Sequence, residues 1–219
     1  MSGRPLSVPT WSRLGTGILG ALVVSLAFFP IYVGGSMTTG VLSQRLHLYA
    51  SFELALPFWP PMIVAYLSMF VLFLVPAFQL DESELWTLVR RLVVASILGG
   101  LVFLVLPSEI GFAEHADAGG WQPLYELVYS VDGRANAVPS FHVIYTSTIL
   151  LALMDVARPR LRVLYALWLV VVCASTVLTH RHHLLDVASG LVIALAARQL
   201  RLRRPATPST SSSCIGVAQ

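Results

Sequence analysis

Residues 14–34 read LGTGILGALVVSLAFFPIYVG, an uncharged run long enough to cross the hydrocarbon core of a bilayer. Five more apolar runs follow, each near the ~20 residues that a membrane-spanning helix needs. The six predicted spans are residues 14–34, 58–80, 90–107, 138–155, 160–179 and 183–200. The sequence therefore predicts an all-α integral membrane bundle of six transmembrane helices.

The composition of the 219-residue chain supports this class of protein. Only 11% of its residues are charged and 56% are hydrophobic, whereas soluble domains carry roughly a quarter charged residues. That balance excludes a disordered chain and argues against an ordinary soluble enzyme. The first run could be a signal peptide, but it exceeds the usual 7–15 apolar residues, so we predict a retained helix.

The basic residues predict how the bundle is oriented. All fourteen are arginine, and they lie between apolar runs or in a short tail, so no nucleic-acid partner is predicted. With six spans, eleven fall on the N-terminal side of the membrane and three on the other, which places both termini in the cytoplasm. The eleven are Arg4, Arg13, Arg90, Arg91, Arg158, Arg160, Arg162, Arg198, Arg201, Arg203 and Arg204, and the three are Arg45, Arg134 and Arg181.

The segments between and beyond the spans complete the predicted organisation. The long outer loops, 35–57 and 108–137, carry apolar residues near a helical period and are predicted to lie in the membrane interface. Residues 1–13 form a cytoplasmic segment, 14–204 a single membrane domain, and 205–219 a low-complexity, disordered cytoplasmic tail.

One candidate site is the stretch NAVPSFH, which runs from Asn136 to His142 at the outer start of the fourth span. Pro139 suits the first turn of a helix, and the free N–H groups of that turn suit a phosphate. Ser140 adds a hydroxyl group there. The alternative is that Ser140 only caps the helix and His142 only makes a hydrogen bond in the core.

A second candidate site, STVLTHRHHLLD, runs from Ser175 to Asp186 at the outer start of the sixth span. On a helix His182 and Asp186 share one face, so the carboxylate can hold Nδ1–H and leave Nε2 as a nucleophile or base. Arg181 can hold an oxyanion. A metal site formed by this pair with His180 or His142 is an open alternative.

The orientation puts both stretches on the same face of the membrane, where together they favour phosphoryl transfer. One histidine would attack phosphorus and become a phosphohistidine, and the other would protonate the departing alkoxide. Arginine and helix N–H groups can neutralise the phosphate charge, so we predict no metal and no cofactor.

At these residues the sequence resembles the type 2 phosphatidic acid phosphatase superfamily of membrane lipid phosphatases and phosphotransferases. Its Pro-Ser-x-His motif matches Pro139 to His142, and its His-x-x-x-Asp core matches His182 to Asp186. The closest similarity is to the inositol-phosphorylceramide-synthase-like branch, through Asp132, Asn136 and the stretch from Pro57 to Tyr66. The resemblance implies that His182 is the nucleophile, Asp186 its orienting partner and His142 the general acid.

Phosphate binding is where the sequence departs from the family. The family's first motif uses a lysine that this chain lacks, and Thr176 and His180 stand where relatives carry cations. We therefore assign phosphate binding to Ser140, Arg181 and Arg134.

The expected function is hydrolysis or transfer of a lipid-linked phosphate that enters from the bilayer. The expected location is a bacterial inner membrane, with the active site facing outward. A lipid-phosphate carrier without turnover and a histidine-metal enzyme are the alternatives.

Overall fold

The computed structural model of the protein describes residues 3–40, 45–114 and 117–199. Within these ranges the chain forms seven α-helices and isolated β-bridges but no β-strand, so the all-α prediction is confirmed. The predicted tail, 205–219, lies outside the described residues. The helices are α1 (Trp11–Gly40), α2 (Ile63–Leu72), α3 (Glu82–Val105), α4 (Gln122–Val131), α5 (Phe141–Val156), α6 (Pro159–Leu178) and α7 (Leu184–Gln199).

Three of the described helices are long and apolar enough to cross a membrane. These spans are Trp11–Gly35 within α1, Glu82–Val105 and Pro159–Leu178. The apolar segments Pro60–Leu72 and Phe141–Val156 are shorter. Apolar helices of this length indicate a membrane protein, whereas the six-span topology and the orientation of the termini remain predictions.

Two helices differ from their predicted bounds for local reasons. α3 begins at Glu82 rather than near residue 90, because Asp81 accepts a hydrogen bond from Glu84 N and the Glu84 side chain accepts one from Asp81 N. This capping box satisfies N–H groups of the first turn. The predicted second span is interrupted after Leu72, because Pro76 has no N–H and its ring would clash with the Leu72 carbonyl in a continuous helix.

The first outer loop contains less helix than its pattern predicts, whereas the second outer loop contains a clear helix. In the 35–57 segment α1 continues to Gly40, and beyond it the described residues form only a short 3₁₀ helix, Ser51–Ala55, instead of a long interfacial helix. The second loop contains α4, with Leu127 and Val131 exposed and Tyr125 buried. Whether α4 lies in the membrane interface remains a prediction.

One end of the bundle gathers several of the arginines, and we call it the arginine end. Arg4 N donates to the Val156 carbonyl and Arg158 N donates to the Arg4 carbonyl, which joins the N-terminal segment to the α5–α6 connection. The Arg4 guanidinium also lies 2.6 Å from Glu84 at the start of α3. α7 finishes here as well, where Arg198 pairs with a carboxylate near the end of α5.

The opposite end carries both candidate motifs, and we call it the histidine end. Trp59 N donates to the Leu178 carbonyl, so α2 begins where α6 finishes. The hydroxyl of Tyr32, in the C-terminal part of α1, donates to Asp132 beyond α4. The six apolar segments therefore alternate in direction between the two ends. α5, packed against α2, α3, α6 and α7, is buried along most of its length and forms the centre of the core.

Candidate active site

Ser140 starts α5 and sets the position of His142. Ser140 takes an extended conformation and its Oγ accepts a hydrogen bond from Val143 N at 3.3 Å, so it is the N-cap. Pro139 precedes this cap instead of occupying the first helical turn. His142 lies two residues after this cap, in the first turn of α5 at the histidine end.

The turn between α6 and α7 carries the second motif in a conformation held by its own backbone. His180 adopts a positive φ of 57°, and both Arg181 N and His182 N donate to the Thr176 carbonyl, at 3.1 and 2.9 Å. Such bonds close the C-terminus of a helix and let the chain reverse sharply. His182 therefore lies in the turn, before the first residue of α7, and not on the helix as its spacing from Asp186 predicts.

Asp186 nevertheless reaches His182 across this turn. Asp186 Oδ2 lies 3.2 Å from His182 Nδ1 and accepts a second hydrogen bond, from His183 N, at 2.7 Å. Because a backbone N–H fixes that oxygen as an acceptor, the His182 ring places its proton on Nδ1. In the neutral ring the other nitrogen, Nε2, then carries no proton, as a nucleophile requires.

The two motif histidines come together at the histidine end. The ring centroids of His142 and His182 are 6.2 Å apart, with 53° between the ring planes. The Tyr66 ring stacks on His142 at 3.9 Å and fixes its orientation from the side of α2.

Among the buried side-chain polar atoms that find no hydrogen-bond partner within the described residues, three belong to the two motifs. They are His142 Nε2, Arg181 Nε and Asp186 Oδ1. Buried polar groups are nearly always paired in folded proteins, so each unpaired one calls for an explanation such as a binding or catalytic role. Arg181 Nε–H can donate, the Asp186 oxygen can accept, and His142 Nε2 can do either according to its protonation.

Arg181 supplies a buried positive charge next to His182. Its side chain is 1% exposed, and its Nη2 donates to the carbonyls of Asp132 and Gly133 at 2.6 and 3.1 Å. Burial alone would raise the pKa of Asp132, but Arg181 and the two motif imidazoles outweigh burial and lower it. Burial alone would lower the pKa of Arg181, but the nearby Asp132 carboxylate outweighs burial and raises it. Both groups are therefore charged.

Ser140 and Asp186 are also joined through the backbone, which fixes one motif against the other. Ser140 N donates to the Asp186 carbonyl at 3.1 Å. Gly190 suits this close approach, because a Cβ there would lie only 3.0 Å from both the Ser140 carbonyl oxygen and Val143 Cβ. The Ser140 hydroxyl acts as the helix cap, so its predicted contact with phosphate remains a proposal.

The structure gives Arg134 and His180 other neighbours than the histidine pair. Arg134 Nη2 donates to the Ile110 carbonyl in the loop after α3, and the assignment of Arg134 to phosphate binding stays a prediction. His180 stacks on Phe112 at 4.0 Å and its Nε2 lies 3.1 Å from the Leu56 carbonyl. His180 therefore contacts the outer loops.

Sequence reasoning did not single out Glu53 or His183, which hold the α6–α7 turn from outside. Glu53 is buried, and its side chain accepts hydrogen bonds from Ala50 N and from Leu184 N, the first residue of α7. The His183 ring is stacked between other aromatic rings, and its Nε2 accepts a hydrogen bond from Gly111 N at 3.0 Å. The sequence does carry one signal for Glu53, which is the single acidic residue of the apolar outer loop 35–57.

The candidate metal site of the sequence analysis has no counterpart in the described part of the chain. Within residues 3–40, 45–114 and 117–199, no group of three or more His, Cys, Asp or Glu side chains is arranged to hold a metal ion. His182 and Asp186 face each other as a hydrogen-bonded pair.

A bundle of apolar helices with two facing histidines, one held by an aspartate, defines a class of membrane protein suited to phosphoryl transfer. The family model described as the PAP2 superfamily, the type 2 phosphatidic acid phosphatases, matches residues 47–200. The chain therefore belongs to this superfamily, and membership suggests phosphatase or phosphotransferase activity. The branch within the superfamily is not resolved by this match. Among curated proteins, a search finds no match.

Proposed function

We propose that the protein is a membrane-embedded lipid-phosphate phosphatase or phosphotransferase that works through a phosphohistidine on His182. The observation that carries this proposal is the approach of His142 to within 6.2 Å of a second ring whose Nδ1 is held by Asp186. A carrier would need only cations to bind phosphate. An orienting carboxylate behind a histidine is useful when the histidine forms and breaks a bond.

In the first half-reaction, His182 Nε2 attacks phosphorus and forms the P–N bond. The P–O bond to the leaving group breaks, its electron pair stays on the departing oxygen, and protonated His142 donates a proton to that oxygen. Asp186 stabilises the positive charge on the phosphorylated ring. Arg181 neutralises negative charge on the phosphoryl oxygens.

In the second half-reaction, neutral His142 takes a proton from water or an alcohol, whose oxygen attacks phosphorus. The P–N bond breaks and its electron pair returns to His182 Nε2. Phosphatase and phosphotransferase activities share the first half-reaction and differ only in the acceptor. We further propose that the substrate is a lipid-linked phosphate, because apolar helices surround the site and an acyl or prenyl tail can enter from the bilayer.

The proposed location is a bacterial inner membrane with the histidine end facing outward. Its support is that Arg4, Arg158 and Arg198 lie at the opposite end, as the positive-inside rule requires of a cytoplasmic end. Single cysteines introduced at exposed positions of each end test this in intact cells. A membrane-impermeant maleimide should label the histidine end, and labelling of the arginine end instead would reverse the orientation.

The activity is tested on purified protein in detergent, with phosphatidic acid, a prenyl diphosphate and phosphatidylinositol offered in the presence of EDTA. We expect phosphate release or head-group transfer in the wild type and none in His182→Ala. His47→Ala is the matched control, because His47 is an exposed outer-loop histidine that pairs with Glu109. Turnover that persists in His182→Ala would refute the nucleophile. Lipid binding without turnover would favour a carrier, and loss of activity in EDTA a metal enzyme.

A further inference from the structure

Asp132 is a buried carboxylate held by phenols from two different helices. Its Oδ1 accepts a hydrogen bond from the Tyr32 hydroxyl of α1 at 2.5 Å, and its Oδ2 accepts one from the Tyr66 hydroxyl of α2 at 3.0 Å. Asp132 itself follows the last residue of α4. We call these three residues the Asp132 clamp, because together they tie the chain between α4 and α5 to the bundle.

The Asp132 clamp holds the cation beside the proposed nucleophile. Arg181 Nη2 bonds to the Asp132 and Gly133 carbonyls and lies 3.4 Å from Asp132 Oδ2. The Tyr129 ring lies 5.1 Å from the centre of the guanidinium. The position of Arg181 therefore depends on where the clamp fixes the backbone at residues 132–133.

The same clamp also contacts the proposed general acid. The Tyr66 ring that donates its hydroxyl to Asp132 stacks face to face on His142 at 3.9 Å. One tyrosine thus links the carboxylate that holds Arg181 to the ring that must deliver a proton. Misplacement of a reacting group by about 1 Å can cost on the order of 10²-fold in rate, so such a link has a direct use.

A purely stabilising role explains this arrangement poorly. Desolvating a carboxylate and a guanidinium is costly, and apolar residues of similar volume often serve stability as well or better. A buried ion pair with both carboxylate oxygens hydrogen-bonded is instead suited to holding a charged group at one place.

We infer that Tyr32, Tyr66 and Asp132 are positioning residues of the active site, which place Arg181 and His142 around the phosphoryl group. Tyr32 lies outside the region matched by the family model, so α1 becomes part of the working site and not only of the scaffold. This inference rests on the proposed function, because it assigns the clamp to the same phosphoryl-transfer site.

A double-mutant cycle separates positioning from general stabilisation. Tyr32→Phe removes one hydroxyl group and should lower kcat/KM at least about ten-fold, as expected for a lost hydrogen bond to a charged group. In an Arg181→Ala background the same change should have little further effect, because the residue it positions is gone. If Arg181→Ala does not fold, Arg181→Met provides the background.

Tyr165→Phe is the matched control for this cycle. Tyr165 is also a buried tyrosine, and its hydroxyl donates to Gln79 near the arginine end at 2.7 Å. Its loss should change kcat/KM by less than about two-fold in either background, since coupling over such a distance is weak. If Tyr32→Phe lowers kcat/KM by the same factor with and without Arg181, or leaves it unchanged, the positioning role is wrong.

The outcome for the wild type distinguishes this inference from the proposed function. Turnover in the wild type with an additive cycle would overturn only the clamp. If the wild type turns over no substrate, the proposed function fails, and the clamp is then tested by the effect of inorganic phosphate on thermal unfolding. Phosphate should then raise the midpoint of thermal unfolding relative to chloride at equal ionic strength, and less so in Tyr32→Phe. An equal or absent rise would overturn the clamp as well.

Discussion

The pairing of Asp186 with His182 leads to a prediction for Asp186→Asn. The oxygen that accepts from His183 N must stay an oxygen, because a backbone N–H points at it from 2.7 Å. The asparagine carbonyl therefore takes that place and still accepts from His182 Nδ1. The substitution removes the negative charge and leaves the hydrogen-bond geometry in place.

The size of the effect follows from the separation of the two groups. Once His182 is phosphorylated its ring is positively charged, 3.2 Å from the carboxylate oxygen. At an effective dielectric constant near 20 the attraction is about 5 kcal/mol, which corresponds to roughly 10³- to 10⁴-fold in rate. The amide dipole of asparagine retains part of this, so we expect kcat to fall roughly 10²- to 10³-fold.

The assay is single-turnover release of the leaving-group alcohol from the lipid phosphate in detergent, which follows formation of the intermediate and not the later release of phosphate. Asp155→Asn is the control, because Asp155 is a carboxylate paired with Arg198 at the arginine end. It should stay within about two-fold of the wild type, as surface ion pairs contribute little. A loss below ten-fold in Asp186→Asn would refute the claim that its charge stabilises a phosphorylated histidine.

Three further predictions concern the acid, the packing of the motifs and the outer loops. His142→Ala should lower kcat/KM, which reports the steps up to loss of the leaving group, roughly 10²- to 10⁴-fold on an alkyl phosphate ester and far less on an activated aryl ester, whose leaving group needs no proton; equal losses of kcat/KM on both would contradict its role as acid. Gly190→Ala should shift α5 against α7 and lower the thermal midpoint of unfolding, whereas Gly15→Ala, with open space around its Cβ, should leave it unchanged or higher. Burial lowers the pKa of His183 from 6.5, so the unfolded chain takes up its proton first, and the His183 contribution to stability is full above pH 6.5 and declines below it. The thermal midpoint should therefore fall more between pH 7.5 and 5.5 in wild type than in His183→Gln, and identical falls would contradict this.

The sequence predicts the helices better than their ends. Long apolar runs identify the segments because burial and bilayer thickness act on whole stretches of chain. The predicted start of α3 is too late, because the first turn of this helix is charged, although the capping box formed by Asp81 and Glu84 is visible in the sequence. The interruption before Pro76 was also readable, whereas the irregular path of residues 45–50 depends on contacts with distant loops.

The candidate active site is predictable from the sequence only in part, because its short motifs can be seen there and its contacts between distant residues cannot. His142, His182 and Asp186 belong to short local motifs, and one consistent end-to-end alternation of helices brings them together. The partners Tyr32 and Tyr66 lie 100 and 66 residues from Asp132, so no local spacing announces them. Only the packed bundle shows which phenol meets which carboxylate.

The central claim is that His182 carries the phosphoryl group between donor and acceptor. The most direct measurement is a rapid acid-free quench of the protein with a ³²P-labelled substrate, followed by peptide mapping. The account predicts label on the peptide that contains His182, stable in alkali, lost in acid and absent in His182→Ala. Label on His142, or turnover without any phosphorylated histidine under conditions in which the intermediate should accumulate, would contradict it.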